Sequence, residues 1–257
     1  MLRWRWYLFF IFIFASPLQA DQSWQTQLEN AKALEKKGSY LEARQIYEKV
    51  VKKAQKKHYE GLPELQKNLE TLNLKLLFSD LKTEDSDWHE VKEGETLGEI
   101  ASKYKTTIGL IKKSNGLDKS KIYPGQKLKV TTKPFWIEVD QTDHVLKLMQ
   151  GKKEIKHYLV ATGRHHKTPK GEFQIVVKLE NPTWYKTGAA PIPPNSPENG
   201  LGTRWMGFDK AKYGIHGTIS PEKIGTYASA GCVRMLNQDV EELFLLVPVG
   251  TKVKIKE

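Results

Sequence analysis

Apolar positions along the chain change period from one region to the next. After an apolar stretch from Trp6 to Ala15, residues 21–80 follow a helical period. Leu28, Ala31 and Leu34 share one face, and Ala43, Ile46, Tyr47, Val50 and Ala54 recur at i, i+3, i+4, i+7 and i+11. "GSY" at 38–40 interrupts the first stripe. Gly61 and Pro63 separate the second from a third, made by Leu65, Leu69, Leu72 and Leu76. The pattern predicts a helical hairpin with an extra helix. The polar, charged run "LKTEDSD" at 81–87 reads as a linker. Between 88 and 131, two short alternating pieces bracket two helical faces, Leu97, Ile100, Ala101 and Tyr104, then Ile108 and Ile111. Asn115-Gly116 closes the second helix and Pro124-Gly125 turns the chain into the last strand. From Phe135 the period falls to two: "FWIEVD", "VLKLMQ", "KEIKHYLVATG", "GEFQIVVKLE" and "TKVKIKE" read as strands. Residues 181–203, rich in Pro, Gly and Asn, have no period. So long a loop is either a working element or disordered, and Trp184 and Tyr185 favour a lid or cleft wall. The expected fold class is multidomain α+β: a helical N-terminal segment, a βααβ module at 88–131, and a mainly β, sandwich-like domain at 135–257.

Charge and the N-terminus add an address. Arg3 and Arg5 precede the first apolar run, and Leu18 and Ala20 loosely fit a small-residue cleavage site. This order predicts a secretory signal peptide over residues 1–20, hence an exported protein of the periplasm or cell wall. The run is short of the ~20 residues that span a bilayer, and an uncleaved anchor is the alternative. No cysteine stands near residue 20, which excludes lipid attachment there. The formal net charge is +11. A basic exported chain suits an anionic matrix such as a cell wall or membrane surface, and export argues against nucleic acid as partner. Much of the lysine is spread singly, as on any solvated surface.

Export changes the meaning of the one cysteine, Cys232 in "SAGCVRM". Oxidising compartments usually pair cysteines, so an odd one is an intermolecular bridge, a reactive thiol or a buried structural residue. His216, in "YGIHGT", precedes it by 16 residues. A free thiol is mostly protonated at neutral pH, and an imidazole that takes its proton would leave a thiolate–imidazolium pair. Gly231 permits a sharp turn that aims backbone N–H groups at one spot, which makes Gly231, Cys232 and Val233 candidates for an oxyanion hole. Metal is not expected. One Cys and one His are too few for zinc, and His144, His157, His165 and His166 lack ligand spacing to Cys232. Dithiol redox chemistry would need a second cysteine. No cofactor is called for.

Three resemblances follow from these residues. Gly38, Tyr40, Ala43 and Tyr47 resemble the centre of a single tetratricopeptide repeat, which assigns 21–80 to packing or to a protein partner. Residues 88–131 resemble a LysM module through Val91, Gly94, Glu95, Thr96, Leu97, Ile100, Ala101, Tyr104, Asn115, Leu117, Ile122, Gly125, Gln126 and Leu128. That resemblance implies binding of N-acetylglucosamine-containing glycans between the loops Gly94–Leu97 (Gly94, Glu95, Thr96, Leu97) and Ile122–Pro124. Residues 135–257 resemble the catalytic domain of bacterial L,D-transpeptidases through Thr168, Pro169, Gly171 and Phe173, through "IHGT", and through Ser229, Gly231, Cys232 and Arg234. Ala230 departs from the family, where many members have histidine. The resemblance implies peptidoglycan as partner, Cys232 as nucleophile, His216 as acid and base, and the Gly217 carbonyl orienting the imidazole. It also implies Ser229 as an oxyanion- or substrate-positioning residue, Arg234 as bracing the turn or meeting a substrate carboxylate, and a carbapenem-sensitive thiol. Formation of peptidoglycan crosslinks, or attachment of a protein to peptidoglycan, is the expected activity. An L,D-carboxypeptidase or endopeptidase using water at the same site is the alternative, and a non-enzymatic wall-binding protein is the second.

Overall fold

The structure is a computed structural model that describes residues 17–186 and 188–257, with side chains described from residue 24. Of the expected export segment, residues 1–16 lie outside the described residues. Among the described residues no helix is long and apolar enough to cross a membrane. The chain forms two compact units, divided between Leu69 and Glu70.

The first unit holds α1 (Pro17–Lys36), α2 (Tyr40–Lys56) and the start of α3 (Leu62–Leu77). The amphipathic stripe read from the sequence is its core: Val50, Val51, Ala54 and Leu65 are buried, with Trp24, Leu28, Ile46 and Leu69 packed on them.

In the second unit, β1 (Ser86–Glu90) and β2 (Lys127–Thr131) pair antiparallel around α4 (Leu97–Lys103) and α5 (Ile108–Ser114). Thr96 and Glu99 form a reciprocal capping box at the start of α4. The expected linker 81–87 is no loose tether, because Ser86 and Asp87 already belong to β1. Asp85 is buried, with Lys133 at 2.6 Å and Lys153 at 3.4 Å.

The sandwich-like expectation is realised as one mixed sheet curled over its own core. It contains β3 (Phe135–Asp140), β4 (Val145–Gln150), β5 (Lys153–Leu159), β7 (Gly171–Glu180), β8 (Arg204–Phe208), β9 (Gly214–His216), β11 (Val233–Arg234) and β12 (Lys252–Lys256). Their spatial order is β11-β9-β8-β7-β12-β3-β4-β5. β6 (Thr162–Gly163) and β10 (Tyr227–Ser229) make a separate parallel pair. Residues from the strands at both ends of the large sheet share a single cluster with Val240, Leu243 and Leu246 of α6 (Asn237–Leu246). A strand one residue out of step would turn this whole set to solvent, so alternation sets the register.

Candidate active site

Register builds the site. Met206 pairs with Ile215 and Ile215 with Val233, and all three are buried in the core. Their neighbours in sequence must point the other way. On that outer face Leu179 pairs with Trp205, Trp205 with His216, and His216 with Arg234. Cys232 precedes β11, in the bend that leads into Val233. The glycines at 207 and 214 keep this face low. A Cβ on Gly207 would come within 2.7 Å of Val177, and one on Gly214 within 2.5 Å of the Met206 carbonyl.

Cys232 sits on a turn between β10 and β11 that one serine ties together. Ser229 Oγ donates to the Cys232 carbonyl at 2.6 Å and accepts from Gly231 N–H at 2.9 Å. This removes Gly231 N–H from the expected oxyanion donors. Val233 lies inside the strand ladder, so of the three candidates the Cys232 N–H is the one left outside both arrangements. The thiol is partly exposed and donates to the Lys212 carbonyl at 3.4 Å, in the β8–β9 turn. The Tyr213 ring from that turn fills the space over Gly231.

His216 is buried, and its Nδ1 is 2.7 Å from the Gly217 carbonyl. A carbonyl can only accept, so Nδ1 carries the proton and Nε2 keeps its lone pair. Trp205 stacks on the ring at 5.7 Å between centroids. Burial, joined by the Arg234 charge, holds His216 down at about 4, against the Gly217 and Leu201 backbone groups. Burial likewise pushes the Cys232 thiol up, against a hydrogen bond from Gly214 and the charge of Arg234. Both shifts favour neutral partners. Both therefore work against the thiolate–imidazolium pair expected from the sequence.

Among the described residues the Arg234 side chain makes no ion pair, and its Nε is buried without a hydrogen-bond partner. Arg164, in the basic turn before β7, is near enough for its charge to act on Arg234. In that turn His165 and His166 both adopt positive φ, and Thr168 holds it through Gly163 N–H to Oγ1 at 2.7 Å. The aperiodic loop 181–203 is built around buried Asn199, whose Nδ2 donates to the Pro182 carbonyl at 2.8 Å and the Pro193 carbonyl at 3.1 Å. Its end, Leu201–Thr203, lies against His216 and Gly217. Trp205, Tyr213 and Asn199 were missed by sequence reasoning, since each acts through a strand or loop partner distant in the chain.

The βααβ module gives several of its expected glycan contacts structural duties. Leu97 is in the core, Thr96 caps α4, and the Glu95 carboxylate accepts from Lys92 N–H at 3.0 Å and lies 2.8 Å from His89 Nε2. Ile122 packs on the same core, and Gly94 has φ +75°. The loop carrying Pro124 is stitched to the other by Gly125 N–H to the Val91 carbonyl at 2.8 Å. Tyr123, between Ile122 and Pro124, is 57% exposed, with Lys121 Nζ 5.0 Å from the centre of its ring.

Comparison with known proteins agrees with this architecture. The sequence model of the L,D-transpeptidase catalytic domain matches residues 134–255, and that of the LysM domain matches 89–131. The chain belongs to the L,D-transpeptidase family. YkuD of Bacillus licheniformis, assigned by name as an L,D-transpeptidase, is 36% identical over 175 residues, covering 65% of this chain and 97% of that protein. YqjB of Bacillus subtilis, so assigned too, is 42% identical over 130 residues, or 48% of this chain and 72% of that protein. An L,D-transpeptidase structure from Mycobacterium smegmatis superposes with a TM-score of 0.42 at 14% identity, covering 52% of this chain and 64% of that one. A cysteine-to-serine mutant of the Enterococcus faecium enzyme gives 0.41 at 24% identity, over 48% of this chain and 50% of that one. The matched region is thus less than two thirds of either solved chain.

Proposed function

We propose that this protein is an exported L,D-transpeptidase that acts on peptidoglycan stem peptides through a thioester on Cys232. The observation that supports the reading is the β9–β11 register, which sets His216 opposite Arg234 in the strand that follows the bend carrying the partly exposed Cys232 thiol; among the described residues Arg234 has no ion-pair partner. Cys232 Sγ attacks the carbonyl of the third stem residue as its proton passes to His216 Nε2. The developing oxyanion is met by the Cys232 N–H. The C–N bond to D-Ala then breaks, and the imidazolium returns the proton to the leaving amine. An acceptor amine attacks the thioester, His216 takes its proton, and the thiol is regenerated. Arg234, with Arg164 near it, suits the carboxylate that a peptide of this kind presents close to the scissile bond. No step requires a metal or cofactor. The LysM module holds the enzyme on its glycan and raises the local substrate concentration.

Mass spectrometry of the products from a purified tetrapeptide muropeptide tests the reading. A crosslinked dimer is expected, absent with Cys232→Ala. Tripeptide monomer alone means hydrolysis, and undiminished product from Cys232→Ala overturns the mechanism.

A further inference from the structure

Asn237 is the first residue of α6, one position past the N-cap at which an asparagine would ordinarily serve the start of a helix. The N-cap is Leu236, and no side chain caps that end. Instead Asn237 Oδ1 accepts from Thr218 N–H at 3.1 Å and from Thr203 N–H at 3.3 Å. Both partners are donors, so the atom facing them has to be the amide oxygen. Gly202 and Gly217 let it approach: a Cβ on either would come within 2.2 Å and 2.1 Å of Oδ1 respectively. The helix that carries it is fixed, with Val240, Leu243 and Leu246 fully buried.

The peptide group between Gly217 and Thr218 is one plane. Its carbonyl oxygen takes the His216 Nδ1 proton at 2.7 Å, and its N–H is held by Asn237 at 3.1 Å. The second N–H held by Asn237, from Thr203, fixes the end of the loop whose Leu201 backbone group hydrogen-bonds His216. We infer that Asn237 is a positioning residue for the acyl-transfer step: it locks the Gly217–Thr218 peptide so that His216 keeps its proton on Nδ1 and presents Nε2 to Cys232. The inference rests on the proposed Cys232–His216 chemistry. It adds a link beyond the carbonyl that touches the ring.

The test uses the full chain in two variants, Asn237→Leu, which removes the acceptor at similar size, and Asn237→Asp, which keeps it and adds charge. Nitrogen-15 NMR of labelled imidazoles, with His216 assigned by a His216→Gln control, reads the tautomer. Iodoacetamide alkylation of Cys232 across pH reads the pair, and neither readout needs a wall substrate. A single Nδ1–H tautomer is expected in the wild type and in N237D. In N237L a second tautomer appears and alkylation at neutral pH falls by about 10-fold or more, the scale of loss from misplaced catalytic groups. In N237D the acid limb of the alkylation profile moves to higher pH, because a carboxylate beside the peptide favours the imidazolium. If N237L folds and keeps both the single tautomer and the wild-type rate, the inference is overturned. If N237L does not fold, N237D decides: an unmoved acid limb overturns it. A wild-type protein with the expected tautomer but no crosslinking activity defeats the proposed function and leaves this inference standing.

Discussion

Gly231 meets two demands at one position. Its φ is +141°, and a Cβ there would come within 2.7 Å of the Tyr213 ring and 3.2 Å of the Lys167 carbonyl. Gly231→Ala therefore adds a strained backbone, worth about 1–3 kcal/mol, to a clash beside Cys232. We expect a lower melting temperature by circular dichroism and at least a tenfold slower alkylation of Cys232; an unchanged rate would show that the turn tolerates a side chain. The resting protonation of Cys232 gives a second prediction. Burial raises the thiol above its ordinary 9.0 and holds His216 down at about 4. Thiolate absorbance at 240 nm should then stay absent at pH 7 and appear only above pH 9. An ion pair would show it already at neutral pH. Cys232 and His216 could be singled out in the sequence because an odd cysteine in an exported chain and a nearby glycine-flanked histidine are local signals. Asn237 and Tyr213 could not, because what each touches is set by register and by a helix placed across the turn.

Among the elements, β5 and α3 are joined by a cluster outside the active site. His157 Nδ1 lies 2.5 Å from Glu70 and 3.6 Å from Glu154. Three such groups could hold a metal ion. Here the imidazolium supplies the positive charge: hydrogen bonds to Glu154 and Glu70 raise His157 from 6.5 to about 9, against partial burial. A folded value above the unfolded one means that these pairings contribute fully below pH 6.5 and are lost as pH rises through about 9. We expect the urea midpoint to drop between pH 6 and about pH 10, and to drop less in His157→Gln. An equal drop in the variant would rule the cluster out as the cause. Strands β3, β4 and β12 were legible because their residues alternate between buried and more exposed, whereas β8, β9, β10 and β11, which are short and carry the site, do not show that period and were not read as strands. The first apolar stripes also became helices as read. The division at Leu69 was not legible, because the stripe Leu65, Leu69, Leu72 and Leu76 runs unbroken through α3 across it. In the second half, Asn73 Nδ2 donates to the Ile155 carbonyl at 3.1 Å, and Leu74 and Leu77 pack on the catalytic core.

At the scale of the second unit, residues 70–257, the LysM module is docked rather than tethered. Leu110 of α5 belongs to the catalytic core cluster. Helices end with carbonyls that have no partner of their own, and here the module supplies several. Ser114 Oγ donates to the Leu77 carbonyl at 2.6 Å, and Thr107 Oγ1 donates to the Leu245 carbonyl in the last turn of α6. Buried Lys129 donates from Nζ to the Leu76 carbonyl at 2.6 Å and the Ser79 carbonyl at 2.7 Å, placing a cation at the negative end of α3. Charge-assisted hydrogen bonds of this kind contribute about 1.5–3 kcal/mol each. Lys129→Met should therefore lower the stability of the whole unit by about 2 kcal/mol or more. A tethered pair of domains would melt in two steps, and K129M would move only the step belonging to the module. A docked pair melts in one. Calorimetry of the full chain, with a tryptophan reporter in the sheet, separates these cases: the reporter should fall with the main transition and shift with it in K129M. If docking holds, deleting 86–131 strips hydrogen-bond partners from the ends of both α3 and α6 as well as the proposed glycan anchor. Loss of crosslinking in such a deletion would then measure the folding of the active-site domain before it measured any contribution of glycan binding.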